Sequence, residues 1–172
     1  MKISDAKKIA IIGYPATGKS TFAHKFSEKL GIEVFSLDKL RWDKNGKKVA
    51  EKIFLKNYEK LFKNEKWIME GNALSFVEER FRQADVVFLF ETSRAKSVWQ
   101  VIKRWFKNRI FQQERLGGGD DTIIHLPKFI IKRFPMKLAG AKKELEKYPE
   151  KVIVIKNHRN ANKIISEIGV QK

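Results

Sequence analysis

The sequence predicts an α/β fold in which a five-stranded parallel sheet is flanked by helices. Two observations predict it. Short apolar runs of strand length alternate with longer segments of helical periodicity along the whole chain, the rhythm of a doubly wound sheet. The first pair, residues 9–12 and 19–30, is joined by a loop bounded by glycines, a strand–loop–helix unit. At 172 residues the chain has one domain's worth of length, enough for a single core.

Each element has its own signal. Residues 9–12 read Ile-Ala-Ile-Ile and end at Gly13. The segment 19–30 sets Phe22, Ala23 and Phe26 at helical spacing, and Gly31 suits a helix C-terminus. Residues 34–37 form the second strand, closing on Asp38. Residues 51–64 carry Ile53, Phe54, Tyr58, Leu61 and Phe62 on one side of a helix. A third strand, 67–69, closes on Glu70, Gly71 and Asn72, and a short helix is expected at 73–82. Residues 86–90, Val-Val-Phe-Leu-Phe, are the most strand-like run of all. After Glu91, Ser93 is placed to cap a helix reaching about residue 108. Residues 109–121 contain Gly117, Gly118 and Gly119 and read as a flexible loop, with Pro127 and Pro135 interrupting the helical segments behind it. The last strand is 152–155, and a terminal helix is expected from Ala161. No internal repeat or linker marks a second domain.

Composition narrows the function classes. The absence of cysteine excludes disulfide scaffolds, thiolate zinc sites and cysteine nucleophiles together. Thirteen Phe and four Trp supply large core side chains and argue against disorder. The charged N-terminus and the lack of any apolar run near ~20 residues lead us to expect a cytoplasmic protein with no membrane association. Formal charge is +17, and residues 94–137 hold eleven Lys or Arg against three acids. Such a stretch either solvates the surface or attracts polyanions: nucleotides, nucleic acid or an acidic face.

One motif carries chemistry. Gly13-Tyr14-Pro15-Ala16-Thr17-Gly18-Lys19-Ser20 fits G-x-x-x-x-G-K-[ST], a pattern that chance places in roughly 1% of chains this long. The spacing has a physical basis. Two glycines let the backbone wrap a phosphate, successive N–H groups aim at its oxygens, and the following helix presents its positive end. Gly13, Ala16, Thr17, Gly18, Lys19, Ser20 and Thr21 are therefore the nucleotide-binding set. Lys19 is suited to the β- and γ-phosphates, and the Ser20 hydroxyl to Mg²⁺.

The remaining signals point to a compact kinase-like member of the P-loop class. A GTPase needs N-K-x-D, which is missing; the D-x-x-G at 43–46 follows Arg41-Trp42 and reads as a surface turn. Asp38, Glu70 and Glu91 each end a strand, at the sheet edge where ligands bind. Carboxylates there either hold Mg²⁺ through water or accept the proton of an attacking hydroxyl, although strand ends are commonly polar and Asp38 also suits a helix cap. Arg104, Arg109, Arg115 and Arg133 flank the Gly-rich segment. Singly each reads as a surface charge; as a group they suit a lid, about 109–121, that closes over phosphates.

The chain resembles the adenylate-kinase-related P-loop proteins known as DNA topology modulation proteins, over nearly its whole length. The matching pieces are 13–21, the Ser-Leu-Asp-Lys-Leu-Arg-Trp run at 36–42, Trp67-Ile68-Met69-Glu70-Gly71-Asn72, Arg80 with Ala84-Asp85, and the 99–104 helix. The resemblance implies a nucleoside-monophosphate-kinase-like fold that uses ATP and Mg²⁺, with a core, a lid and a small acceptor region. It implies that Asp38 is the acid near the acceptor or metal and that Glu70 is the metal-side acid. Two departures stand out: Glu70 replaces the more usual Asp, and Ala73 stands where an aromatic residue often follows Asn72.

Three functions follow as expectations. The first is ATP-dependent phosphoryl transfer to a small acceptor such as a nucleotide or nucleoside, with Lys19, Asp38, Arg104, Arg109 and Arg133 catalytic and Asp38, Arg41, Trp42, Asn72 and Arg80 at the acceptor. Ser20 and, through water, Glu70 would serve the metal, and Arg159 after the last strand would pack on the adenine. The second is a nucleotide-dependent nucleic-acid-binding regulator, suggested by Trp99, Trp105, Phe106 and Phe111 among the basic residues. The third is a polynucleotide 5′-end kinase. His125 and His158 show no metal spacing and are read as non-ligands.

Overall fold

The computed structural model describes residues 3–43, 45, 47–111 and 128–168, with the backbone alone described at 104, 105 and 107–111. Strands β1 (Lys8–Gly13), β2 (Val34–Ser36), β3 (Trp67–Glu70), β4 (Val86–Phe90) and β5 (Val152–Ile155) form one sheet in the order β2-β3-β1-β4-β5. Every pairing is parallel. The helices are α1 (Lys19–Leu30), α2 (Glu51–Leu61), α3 (Glu78–Gln83), α4 (Arg94–Phe111), α5 (Phe134–Leu145) and α6 (His158–Glu167). Among the described residues no helix is long and apolar enough to cross a membrane.

A parallel sheet covered on both faces needs strands that are apolar throughout, and β1 and β4 meet that requirement. Their side chains alternate between two cores. Ala10, Ile12, Trp67, Met69, Val87 and Leu89 pack with Phe54, Tyr58, Phe81, Phe134 and Leu138 from α2, α3 and α5. Ile9, Ile11, Ile68, Phe88 and Phe90 pack with Phe22, Phe26 and Ala161 from α1 and α6. On the latter face Phe22, Phe26, Phe88 and Phe90 interlock with ring centroids 4.9–5.2 Å apart. Burial of each ring contributes about 1.5–3 kcal/mol, which anchors α1 and therefore the loop before it.

The topology puts a crevice where the site is expected. β1 and β3 are neighbours, yet the helices that follow them, α1 and α3, lie on opposite faces. The chain thus diverges at the C-terminal ends of these two strands, leaving room for a ligand.

Element boundaries shift by a few residues, as where the helix expected at 51–64 ends at Leu61, and four differences from expectation stand out. The helix expected at 73–82 begins only at Glu78, because Ala73 is left-handed (φ 27°) and the carbonyls of Gly71, Asn72 and Phe76 are engaged by side chains. The terminal helix begins at His158 rather than Ala161, since the Asn157 side chain accepts from the Asn160 N–H at 2.9 Å and caps it. Pro135 does not break a helix. Helical residues run unbroken from Lys128 to Leu145 around it, with a π-helical turn at Phe129–Arg133 directly before it. Finally, α4 runs to Phe111, so residues 109–111 are helical; the rest of the expected lid, with Arg115 and the three glycines, lies outside the described residues.

Tyr58 ties α2 to the 71–77 loop. Its buried hydroxyl donates to the Phe76 carbonyl at 2.7 Å. Burial raises the phenol pKa above 10.0, with opposition from Arg80. A group that holds its proton more tightly when folded contributes stability below its unfolded pKa and loses it as pH rises through the folded value. Tyr58→Phe should therefore cost about 1 kcal/mol at neutral pH, and the gap to wild type should narrow above pH ~10. Urea unfolding at pH 7 and pH 10.5 measures both; a gap that widens with pH would contradict this account.

Candidate functional site

The loop after β1 is held in a tight curl by contacts from several elements. Gly13 sits at φ 133°, and a Cβ there would lie 2.1 Å from the Phe90 carbonyl oxygen, so only glycine lets β1 end against β4. The Tyr14 N–H donates to that same carbonyl at 3.1 Å. The Tyr14 carbonyl in turn accepts from Thr17 Oγ1 at 2.8 Å and from Lys19 Nζ at 2.7 Å. Ala16 at the apex is left-handed (φ 57°), a conformation that costs an L-residue roughly 1–2 kcal/mol and persists because these bonds over-determine it. Gly18, at φ 89°, precedes α1, and a Cβ on it would approach the His158 ring to 3.1 Å.

Two further bonds tie the loop to distant elements. The Gly13 N–H donates to Asn72 Oδ1 at 3.2 Å, linking the loop to the segment after β3. Ser97 Oγ, fully buried on α4, donates to the Pro15 carbonyl at 2.8 Å. Lys19 is 7% exposed, whereas Ser20 and Thr21 stand in the open first turn of α1. The first N–H groups of any helix lack intrahelical partners, and here they face the crevice end of the sheet.

The strand-end acids differ in their surroundings. Glu70 is 4% exposed and accepts from Ser36 Oγ at 3.1 Å. Asp38 is exposed and lies beside the Gly71 backbone. Glu91 forms an ion pair with Lys142 of α5. Asp43 accepts from the Asn45 and Lys47 N–H groups at 2.8 Å in an exposed turn, as its sequence context suggested. Ser20 and Glu70 are the donors a magnesium would meet. A single hydroxyl and one carboxylate suit a cation that keeps its waters and shares phosphate oxygens.

Arg80 requires a correction. Expected at the acceptor, it is instead fully enclosed, donating from Nη1 to the Gly71 carbonyl and from Nη2 to the Asn72 carbonyl, each at 3.0 Å. Burial pushes its pKa down, while Tyr58, Asp38 and Glu70 favour the charge. Arg80 thus holds the backbone of residues 71 and 72, and the Asn72 side-chain oxygen accepts from the loop. Arg41 stacks its guanidinium 4.3 Å from the Phe54 ring centroid, with Trp42 exposed beside it. Arg133 is exposed on the π-helical turn and Arg159 on α6, while the side chains of Arg104 and Arg109 lie outside the described atoms.

A shallow, open cleft adjoins the loop, lined by Thr17, Phe90, Glu91, Thr92, Lys96, Gln100, Ile155, Lys156, Asn157 and His158. Sequence reasoning pointed to the segment after the last strand but singled out Arg159; Lys156, Asn157 and His158 are the residues of that segment that line the cleft. Ser97 and Gln100 went unnoticed, because nothing in a basic, aromatic-rich helix marks which turn meets the loop. The chain matches no protein-family model, and no curated protein sequence matches it.

The contacts rank the supports of the loop. Arg80→Met strands the buried Gly71 carbonyl and the partly buried Asn72 carbonyl and should cost about 3 kcal/mol, whereas Asn72→Ala strands the single N–H of Gly13 and should cost about 1 kcal/mol. Equilibrium unfolding of both variants tests this order. Equal losses would remove Arg80 from its central place.

Proposed function

We propose that this chain is an ATP-dependent phosphotransferase of the nucleoside-monophosphate-kinase-like P-loop class, acting with Mg²⁺ on a small acceptor that bears a hydroxyl or phosphate. The observation that carries the reading is the clamped 13–20 loop at the divergence of β1 and β3, with the carboxylates of Asp38 and Glu70 beside it. The resemblance of 36–42 and 67–72 to DNA topology modulation proteins supports the same assignment.

The residues divide the work. The loop N–H groups and the α1 N-terminus receive the phosphates, and Lys19 exchanges the Tyr14 carbonyl for a phosphate oxygen. Ser20 and, through water, Glu70 hold the cation, which when bound spreads positive charge over the phosphate oxygens. Asp38 accepts the proton of an attacking hydroxyl. Arg104, Arg109 and Arg133 are the cations available to the transferring group from the lid side.

Calorimetry with MgATP tests the first half. Lys19→Ala should lose most of the binding heat, while Asp38→Asn should keep it and lower turnover roughly 10²–10⁴-fold. The acceptor is found by a transfer screen across nucleosides, nucleotides, small hydroxylated metabolites and oligonucleotide ends. Unchanged ATP binding in Lys19→Ala, or wild-type protein that binds no triphosphate, sinks the proposal.

A second reading has one observation in its favour. Trp99 and Phe106, 57% and 54% exposed, stand on α4, which has six Lys or Arg and no acid. Lys103 Nζ lies 5.4 Å from the Trp99 ring centroid. Exposed rings among cations suit stacking on single-stranded nucleic acid, as a regulator or as the binding surface of a 5′-end kinase. Such binding should weaken tenfold or more, on the order of several released counterions, between 50 and 200 mM salt. A salt-independent oligonucleotide affinity argues against it.

A further inference from the structure

Gln100 is the point of interest in the cleft beside the loop. Of the polar side chains lining that cleft, several are already engaged within the protein. Thr17 donates to the Tyr14 carbonyl, Glu91 pairs with Lys142, and Asn157 Oδ1 caps α6. Gln100 Oε1, in contrast, is buried and has no hydrogen-bond partner. Two other buried side-chain atoms among the described residues share that condition, Trp67 Nε1 and Arg80 Nε, and neither residue lines the cleft. A buried acceptor without a donor is an exception that asks for one from outside.

The position of Gln100 is fixed relative to the phosphates. It lies three residues beyond Ser97 on α4, and Ser97 is bonded to the Pro15 carbonyl at the loop apex. Thr17 belongs to both the loop and the cleft, so the two are continuous. A group attached to a phosphate chain on the loop would therefore extend into the space before Gln100. His158, whose ring lies against Gly18, lines the other side.

From this arrangement we infer that Gln100 reads the base of the bound nucleotide and selects a 6-aminopurine, its Oε1 accepting from the exocyclic amine. The inference rests on the triphosphate reading of the loop. An amide is the natural partner of adenine, because it offers an acceptor to the 6-amino group and a donor to the neighbouring ring nitrogen. A 6-oxopurine turns an oxygen toward Oε1 instead, and a purine without a 6-substituent leaves the acceptor unmet.

The test is a binding series on the full chain with Mg²⁺ and three triphosphates: ATP, ITP and purine riboside triphosphate, which lacks the 6-amino group. Wild-type protein should prefer ATP over each of the others roughly ten- to hundredfold. Gln100→Ala should bring all three to similar affinity. Gln100→Glu, which keeps the acceptor, should retain the preference for ATP over purine riboside triphosphate. Circular dichroism of both variants checks that they fold, which the half-buried surface position of Gln100 favours. Wild-type protein that binds all three equally overturns the inference and leaves the loop assignment standing. A preference for ATP that survives in Gln100→Ala overturns it as well. Protein that binds none of the three overturns both.

Discussion

The fully buried Arg80 guanidinium donates to the Gly71 and Asn72 carbonyls and through them fixes the segment after β3 that meets the 13–20 loop. Hydrogen bonds from a charged donor are worth about 1.5–3 kcal/mol each, and here they offset the cost of enclosing a cation. With residues 71 and 72 held, the Asn72 side chain is aimed at the Gly13 N–H. The same backbone segment packs on Asp38. One buried charge thus sets the distance between the loop and the carboxylate beside it. Asp38 and Glu70 repay the arrangement by favouring the charged form of the arginine.

A division between the two sides of the crevice follows. The β1–α1 side rests on the aromatic interlock of Phe22, Phe26, Phe88 and Phe90, so the helix that follows the loop is firmly seated. The β2–β3 side is organised by polar contacts: Ser36 on Glu70, Arg80 on two carbonyls, Tyr58 on a third. Apolar packing is indifferent to the charge of a ligand, whereas polar contacts respond to it. The β2–β3 side is accordingly the one whose local structure depends on which groups are charged.

Much of this was legible in the sequence where local chemistry decided the outcome. The Ile-Ala-Ile-Ile run, the glycine spacing and the Phe22–Phe26 periodicity identify β1, the loop and α1 without tertiary information, and the strand-end acids follow from where the apolar runs stop. What escaped was set by contacts between distant segments. The start of α3 depends on carbonyls captured by an arginine inside the helix itself. Arg80 and Asn72 fall in the segment expected to meet an acceptor, and only the folded chain shows that the arginine is fully buried on two backbone carbonyls and that the Asn72 side-chain oxygen accepts from the Gly13 N–H. Ser97 and Gln100 owe their roles to one turn of α4 lying against the loop, and helical periodicity does not reveal which turn that is.

The bond between Ser97 and the Pro15 carbonyl has a mechanical consequence. From Ser97 to the last residue of α4 is about 21 Å at 1.5 Å per residue. A pivot of ~5° about that bond displaces the far end by roughly 2 Å, an amplification from simple trigonometry on the helical rise. A sub-ångström adjustment of the loop apex is thereby geared into a side-chain-sized sweep at the opposite end of the rod.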